Sequence, residues 1–127
     1  MSDDSRRTGQ MGAGRTGPAL EAAYRFQLWV VPTVEKFPRS QKFLLGDRIQ
    51  ATALDVLERL IEATYTRARA DRLAAANLGV EKLRFMFRLA ADLRHLDLKR
   101  YEHAARTLDE IGRLIGGWRK AHDAQEA

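Results

Sequence analysis

The 127-residue chain has no cysteine, which excludes a disulfide scaffold, a zinc finger or ribbon, an iron–sulfur cluster and a thiol nucleophile. Serine occurs only at Ser2, Ser5 and Ser40, poor material for a hydrolytic triad. Long apolar runs are also missing: the longest, around Leu28 to Val31, is far short of a membrane span. The start, Met1-Ser2-Asp3-Asp4, lacks the apolar core of a secretory signal, so a cytoplasmic protein is expected. Histidine is scarce. A two-metal bundle needs Glu-x-x-His on two helices with further carboxylates on the others, and the nearest approach is a single Asp92-x-x-His95. His95, His103 and His122 therefore read as solvated helix-end residues, with no metal, no cofactor and no catalytic residue expected.

What is present is a globular balance, 45% hydrophobic and 31% charged, with 22 Lys+Arg against 17 Asp+Glu and a net charge of +5. That length suits one domain. Residues 1–18 carry Gly9, Gly12, Gly14, Gly17 and Pro18 among arginines and read as a flexible arm. The run Gly12-Ala13-Gly14-Arg15-Thr16-Gly17 matches the dinucleotide fingerprint literally. That fingerprint works only between a strand and a helix, and no strand precedes this one.

From Leu20 onward helical periodicity dominates, and four helices are expected across a bundle domain at 19–122, with a short tail at 123–127. The first, about Ala19 to Lys36, has an apolar face of Leu20, Ala23, Tyr24, Val30, Val31, Val34 and Phe37, with Pro32 kinking it or starting a new turn. Pro38 marks the break. Ser40 is a potential cap for the second, about Gln41 to Ala70, whose stripe is Ile49, Ala53, Val56, Leu60 and Ala63, broadened by Leu45, Leu57 and Ile61. Asp71 would cap the third, about Arg72 to Leu96, which is apolar on two sides: Leu83, Met86, Phe87, Ala90 and Leu93 on one, Phe85, Leu89 and Leu96 on the other. In the fourth, Tyr101, Ala104, Leu108, Ile111, Ile115 and Trp118 repeat at alternating steps of three and four. Such a seam belongs to a left-handed antiparallel bundle, so the expected fold is an all-α, up-and-down four-helix bundle.

Two features point to function. Residues 82 to 120 hold ten basic groups and five acids, so the whole net charge of the chain lies in the third and fourth helices. Arg84 and Arg88 are one turn apart, and Arg106, Arg113 and Lys120 recur every seven residues on one face. With Arg94 they form a candidate phosphate-contacting stripe, set against the plain alternative of a solvated face. Paired carboxylates look like partners in ordinary ion pairs, with Arg106 reaching Glu110 and Glu110 reaching Arg113. The second feature is Gly112-x-x-x-Gly116-Gly117 followed by Trp118. Each interior glycine costs roughly 1 kcal/mol relative to alanine. Either another backbone packs closely there, as at a surface reserved for another subunit, or the helix ends at Gly116 with Gly117 as its left-handed cap. A ring of identical chains would gather the basic faces.

The blocks Leu83-Arg84-Phe85-Met86-Phe87-Arg88-Leu89-Ala90, Tyr101-Glu102 and Glu110-Ile111-Gly112-Arg113-Leu114-Ile115-Gly116-Gly117-Trp118 resemble the accessory variability determinant (Avd, or bAvd) proteins of diversity-generating retroelements. The segment Phe37-Pro38-Arg39-Ser40-Gln41-Lys42-Phe43-Leu44-Leu45-Gly46-Asp47-Arg48-Ile49 is similar to the helix 1–2 junction of that group. Related bundles are encoded in intervening sequences of bacterial 23S ribosomal RNA genes. The resemblance covers about residues 20 to 121. It implies a non-catalytic accessory protein, a homopentameric basic barrel that binds a reverse transcriptase and RNA or DNA during mutagenic cDNA synthesis. The other reading it allows is an interaction protein of the intervening-sequence type, with no polymerase partner.

Overall fold

The computed structural model describes residues 17–126. Helix α1 spans Gly17–Glu35, α2 Asp47–Tyr65, α3 Arg69–Asp92 and α4 Leu98–Glu126. A single turn at Arg39–Gln41 and a π-helical turn at Lys42–Gly46 lead into α2. No strand occurs among the described residues. Each helix packs on the one before it, and α1 closes the square against α4, giving the expected up-and-down four-helix bundle. The α1–α4 seam is the least extensive of the four.

The core follows the sequence periodicity closely in two helices. On α2 every residue of the stripe Ile49, Ala53, Val56, Leu60 and Ala63 is buried, and on α4 so are Ala104, Leu108, Ile111 and Ile115, with Tyr101 and Trp118 packed at the ends of the seam. Apart from Thr33 and Thr52 the buried set is apolar. Thr33 lies beside Pro32, and its hydroxyl donates to the Trp29 carbonyl at 2.7 Å. Helix α1 runs through Pro32 to Glu35 without a new start; the proline is exposed, so its ring meets solvent.

Several local expectations change. Tyr24 and Val31, expected in the core, are exposed, and Phe26 and Ala22 hold that position instead. Leu93 is exposed, like Phe85 and Leu89. Ser40 caps nothing: it sits inside the short turn that Pro38 opens. Helix α2 stops at Tyr65, five residues before its expected end. Thr66 is extended there, and the Glu62 carbonyl accepts both its backbone N–H at 2.9 Å and its hydroxyl at 2.7 Å. Asp71 is not a cap either, because α3 already begins at Arg69; its carboxylate lies in the first turn, where the helix dipole favours negative charge. The cap of α4 is Asp97, whose carboxylate accepts the Arg100 backbone N–H at 2.8 Å.

Of the expected arm, residues 1–16 lie outside the described region, while Gly17 and Pro18 open α1. Proline suits a first turn, since its missing N–H would have had no partner there. At the other end, 123–126 continue α4 and form no separate tail.

Candidate nucleic-acid interface

Helices α3 and α4 present the basic residues, and how each is held depends on its neighbours. Arg84 is half-buried, and its guanidinium donates to Asp109 on α4 and to Glu81 one turn back at 3.1 Å. The bond from Asp109 raises the Arg84 pKa, and the same bond holds the Asp109 carboxyl below the ordinary carboxylate range. Arg84 therefore clamps α3 to α4. It reaches across because Gly112 leaves room: a Cβ there would stand 3.1 Å from an Arg84 guanidinium nitrogen.

The other stripe residues point outward. Arg88 is exposed and meets Asp92 only at 4.0 Å; Arg106 meets Glu102 only at 3.9 Å, and this replaces the expected Arg106–Glu110 pair. Ion pairs of that length at exposed sites contribute little and leave the cations available. Among the described residues Arg94, Arg113 and Lys120 make no ion pair within 4.0 Å, and all three are exposed. Arg106, Arg113 and Lys120 recur along one helix, so they form a line with a spacing of about 10 Å and not a single cluster.

Arg94 sits in the α3–α4 turn with φ 63°, the left-handed region. Its N–H donates to the Ala91 carbonyl at 3.0 Å and the next, from His95, to Ala90 at 2.9 Å. This is the double bond pattern of a helix end normally completed by glycine. An arginine there is conformationally expensive, and such residues cluster at functional positions.

A groove of about 310 Å³ runs between α3 and α4. Arg84, Phe85 and Arg88 line it from α3, and Tyr101, Ala105 and Leu108 from α4. It brings together two of the six expected contact residues. Phe85 is the member that charge counting passed over; the residue is 67% exposed, and an aromatic between two arginines was the signal available.

The three histidines differ from one another: His103 is exposed, whereas His95 and His122 are partly buried. His103 lies in the second turn of α4 with its ring 4.6 Å from that of Trp29, His95 packs 6.2 Å from Phe37, and His122 is half-buried, 3.7 Å from Glu126. No group of three or more His, Asp or Glu is placed to hold a metal among the described residues. No helix among them is long and apolar enough to cross a membrane.

The glycines divide. Helix α4 does not end at Gly116; it continues ten residues to Glu126, and no left-handed cap forms. Trp118 stays in register, packed on the core with the Arg69 guanidinium over its ring at 5.9 Å. Gly112 is close to Arg84, whereas a Cβ at Gly116 or Gly117 would meet nothing within 4 Å. Within one protomer those two glycines leave bare helix.

Comparison with known proteins agrees with the expected family. No curated protein matches the chain. The family model described as bAvd-like matches residues 20–122, which takes in nearly all of the four helices, the α3–α4 groove, the strained turn at Arg94 and all six basic residues of the stripe. On that match the chain belongs to the bAvd-like family.

Proposed function

We propose that this chain is the non-catalytic accessory protein of a diversity-generating retroelement, a basic scaffold that binds the reverse transcriptase and its template RNA in support of mutagenic cDNA synthesis. The observation that carries the reading is the exposed cationic row Arg88, Arg106, Arg113 and Lys120 across α3 and α4, weakly paired or unpaired among the described residues, in a chain of the bAvd-like family. A cationic row only loosely paired with its own acids can release counterions on meeting phosphates, and binding then weakens as salt rises.

Assembly into a homo-oligomeric ring, a pentamer by family resemblance, belongs to the same proposal. The bundle leaves two separate apolar surfaces uncovered. One joins Tyr24, Leu28 and Val31 of α1 to Leu54 and Ile61 of α2; the other is Leu78, Leu89 and Leu93 on α3, with Phe85 at the edge that borders the α3–α4 groove. Two different surfaces on one chain suit a head-to-tail contact, the kind that closes rings. Gly116 and Gly117 offer a third place where a neighbouring backbone could approach.

Charge reversal tests the central part. Arg88→Glu with Arg106→Glu, both exposed, should keep the helical content and weaken binding to the RNA and polymerase of the same locus. The slope of log affinity on log salt should fall by about one for each phosphate the variant no longer neutralises. Unchanged affinity and slope would remove the row from the interface.

A further inference from the structure

We infer that the α3–α4 groove takes an unpaired nucleobase, so that the protein prefers single-stranded to duplex RNA. This rests on the nucleic-acid reading above and adds to it a site and a form of nucleic acid.

The cationic row supplies attraction to any phosphate backbone, but the groove has different chemistry. It is lined by the rings of Phe85 and Tyr101, one from α3 and one from α4, with the buried Phe87 behind them, Ala105 and Leu108 beside Tyr101 on α4, and Glu81, whose carboxylate is held by Arg84. Phe85 is two-thirds exposed although it stands in a helix with a buried face, so its ring is not held by the core. Arg88 lines the same groove with only a 4.0 Å approach to Asp92, which leaves its guanidinium free to meet a phosphate or lie over a ring. Arg84, by contrast, is occupied by Asp109 and Glu81, and fixes the spacing of the two helices. Aromatic faces interleaved with mobile cations are what single-stranded nucleic acid requires: bases stack on the rings and the backbone follows the charge. A paired base keeps its faces within the duplex and cannot enter. The volume, about 310 Å³, lies at the lower end of the range of small-ligand sites.

The test measures binding of the full chain to a fluorescent single-stranded RNA 12-mer and to a duplex of the same sequence, for wild type, Phe85→Ala, Phe85→Leu and Arg88→Glu. Phe85→Leu keeps an apolar side chain and removes the ring. The expected result is tighter single-strand binding by wild type. Both Phe85 variants should lose roughly ten-fold of it, with duplex binding and salt slope unchanged. Arg88→Glu should weaken both RNAs and lower the slope. Circular dichroism checks the fold of each variant. If both RNAs bind and Phe85→Ala changes neither, or changes both equally, the groove is not a base site although the cationic row stands. Phe85→Leu behaving as wild type would assign the groove to an apolar partner segment and overturn the base reading. If neither RNA binds wild type, the nucleic-acid reading itself fails.

Discussion

Arg84 and Asp109 lie 25 residues apart in sequence and join α3 to α4 through a charged hydrogen bond on the rim of the groove. The bond holds the Asp109 carboxyl below its ordinary value of 3.8. A depressed acid stabilises the fold above its unfolded-state pKa, and that contribution disappears as pH falls through the lower folded value. Melting temperature measured against pH for wild type and Asp109→Asn should therefore show a constant difference near neutrality. The difference should close only below about pH 4. A difference that closes between about pH 5 and 7 would contradict the assignment.

Arg94 supplies a variant with opposed effects. Arg94→Gly relieves the left-handed backbone at φ 63° and should raise stability by about 1 kcal/mol, read as a higher denaturation midpoint at unchanged slope. If the arginine contacts RNA, the same variant binds more weakly. A variant both less stable and equal in binding would show that neither account of Arg94 is right.

Gly79 and Gly116 should respond in opposite directions. A Cβ on Gly79 would lie 2.6 Å from the Val56 methyl, where α3 packs against α2, and valine in a helix has little rotamer freedom to yield. Gly79→Ala should destabilise by about 1–3 kcal/mol despite its better helix propensity. Gly116→Ala meets open space and should gain up to about 1 kcal/mol. Gly116→Leu, if that surface packs against another subunit, should lower the mass measured by light scattering. An unchanged mass would free Gly116 from any part in assembly.

Arg69 ties three helices at the opposite end of the bundle. Its Nε donates to the Ala63 carbonyl at the end of α2 at 2.7 Å while the guanidinium lies over Trp118 of α4. Arg69→Ala should cost about 1–2 kcal/mol, and Arg69→Lys should recover only part of it, because an ammonium cannot serve both partners in one plane. Equal stability of the lysine variant and wild type would reduce the interaction to simple charge.

The bundle was legible because its stripes repeat without interruption, above all from Tyr101 to Trp118. What the sequence concealed has specific causes. The break after Tyr65 carries neither glycine nor proline; the Arg69 side chain takes up the Ala63 carbonyl and the Thr66 hydroxyl adds a second bond to Glu62, so no punctuation marks it. Phe26 displaced Tyr24 from the core because both fit a broad apolar arc, and only packing against Phe87 chooses between them. On α3 and α4 the outward cations Arg88, Arg106, Arg113 and Lys120 could be read from spacing alone. The inward turn of Arg84 could not, since it depends on Asp109 arriving from another helix, opposite a glycine that lets the two meet.

The central claim, an accessory scaffold working with a polymerase and RNA, is tested most directly by gentle affinity purification of the tagged protein from its native host, identifying bound protein by mass spectrometry and bound RNA by sequencing. The account predicts recovery of a reverse transcriptase together with one discrete RNA, both absent when the Arg88→Glu, Arg106→Glu variant is used. Recovery of neither, from cells shown to express the polymerase, would contradict it and leave a four-helix bundle of the bAvd-like family without that role.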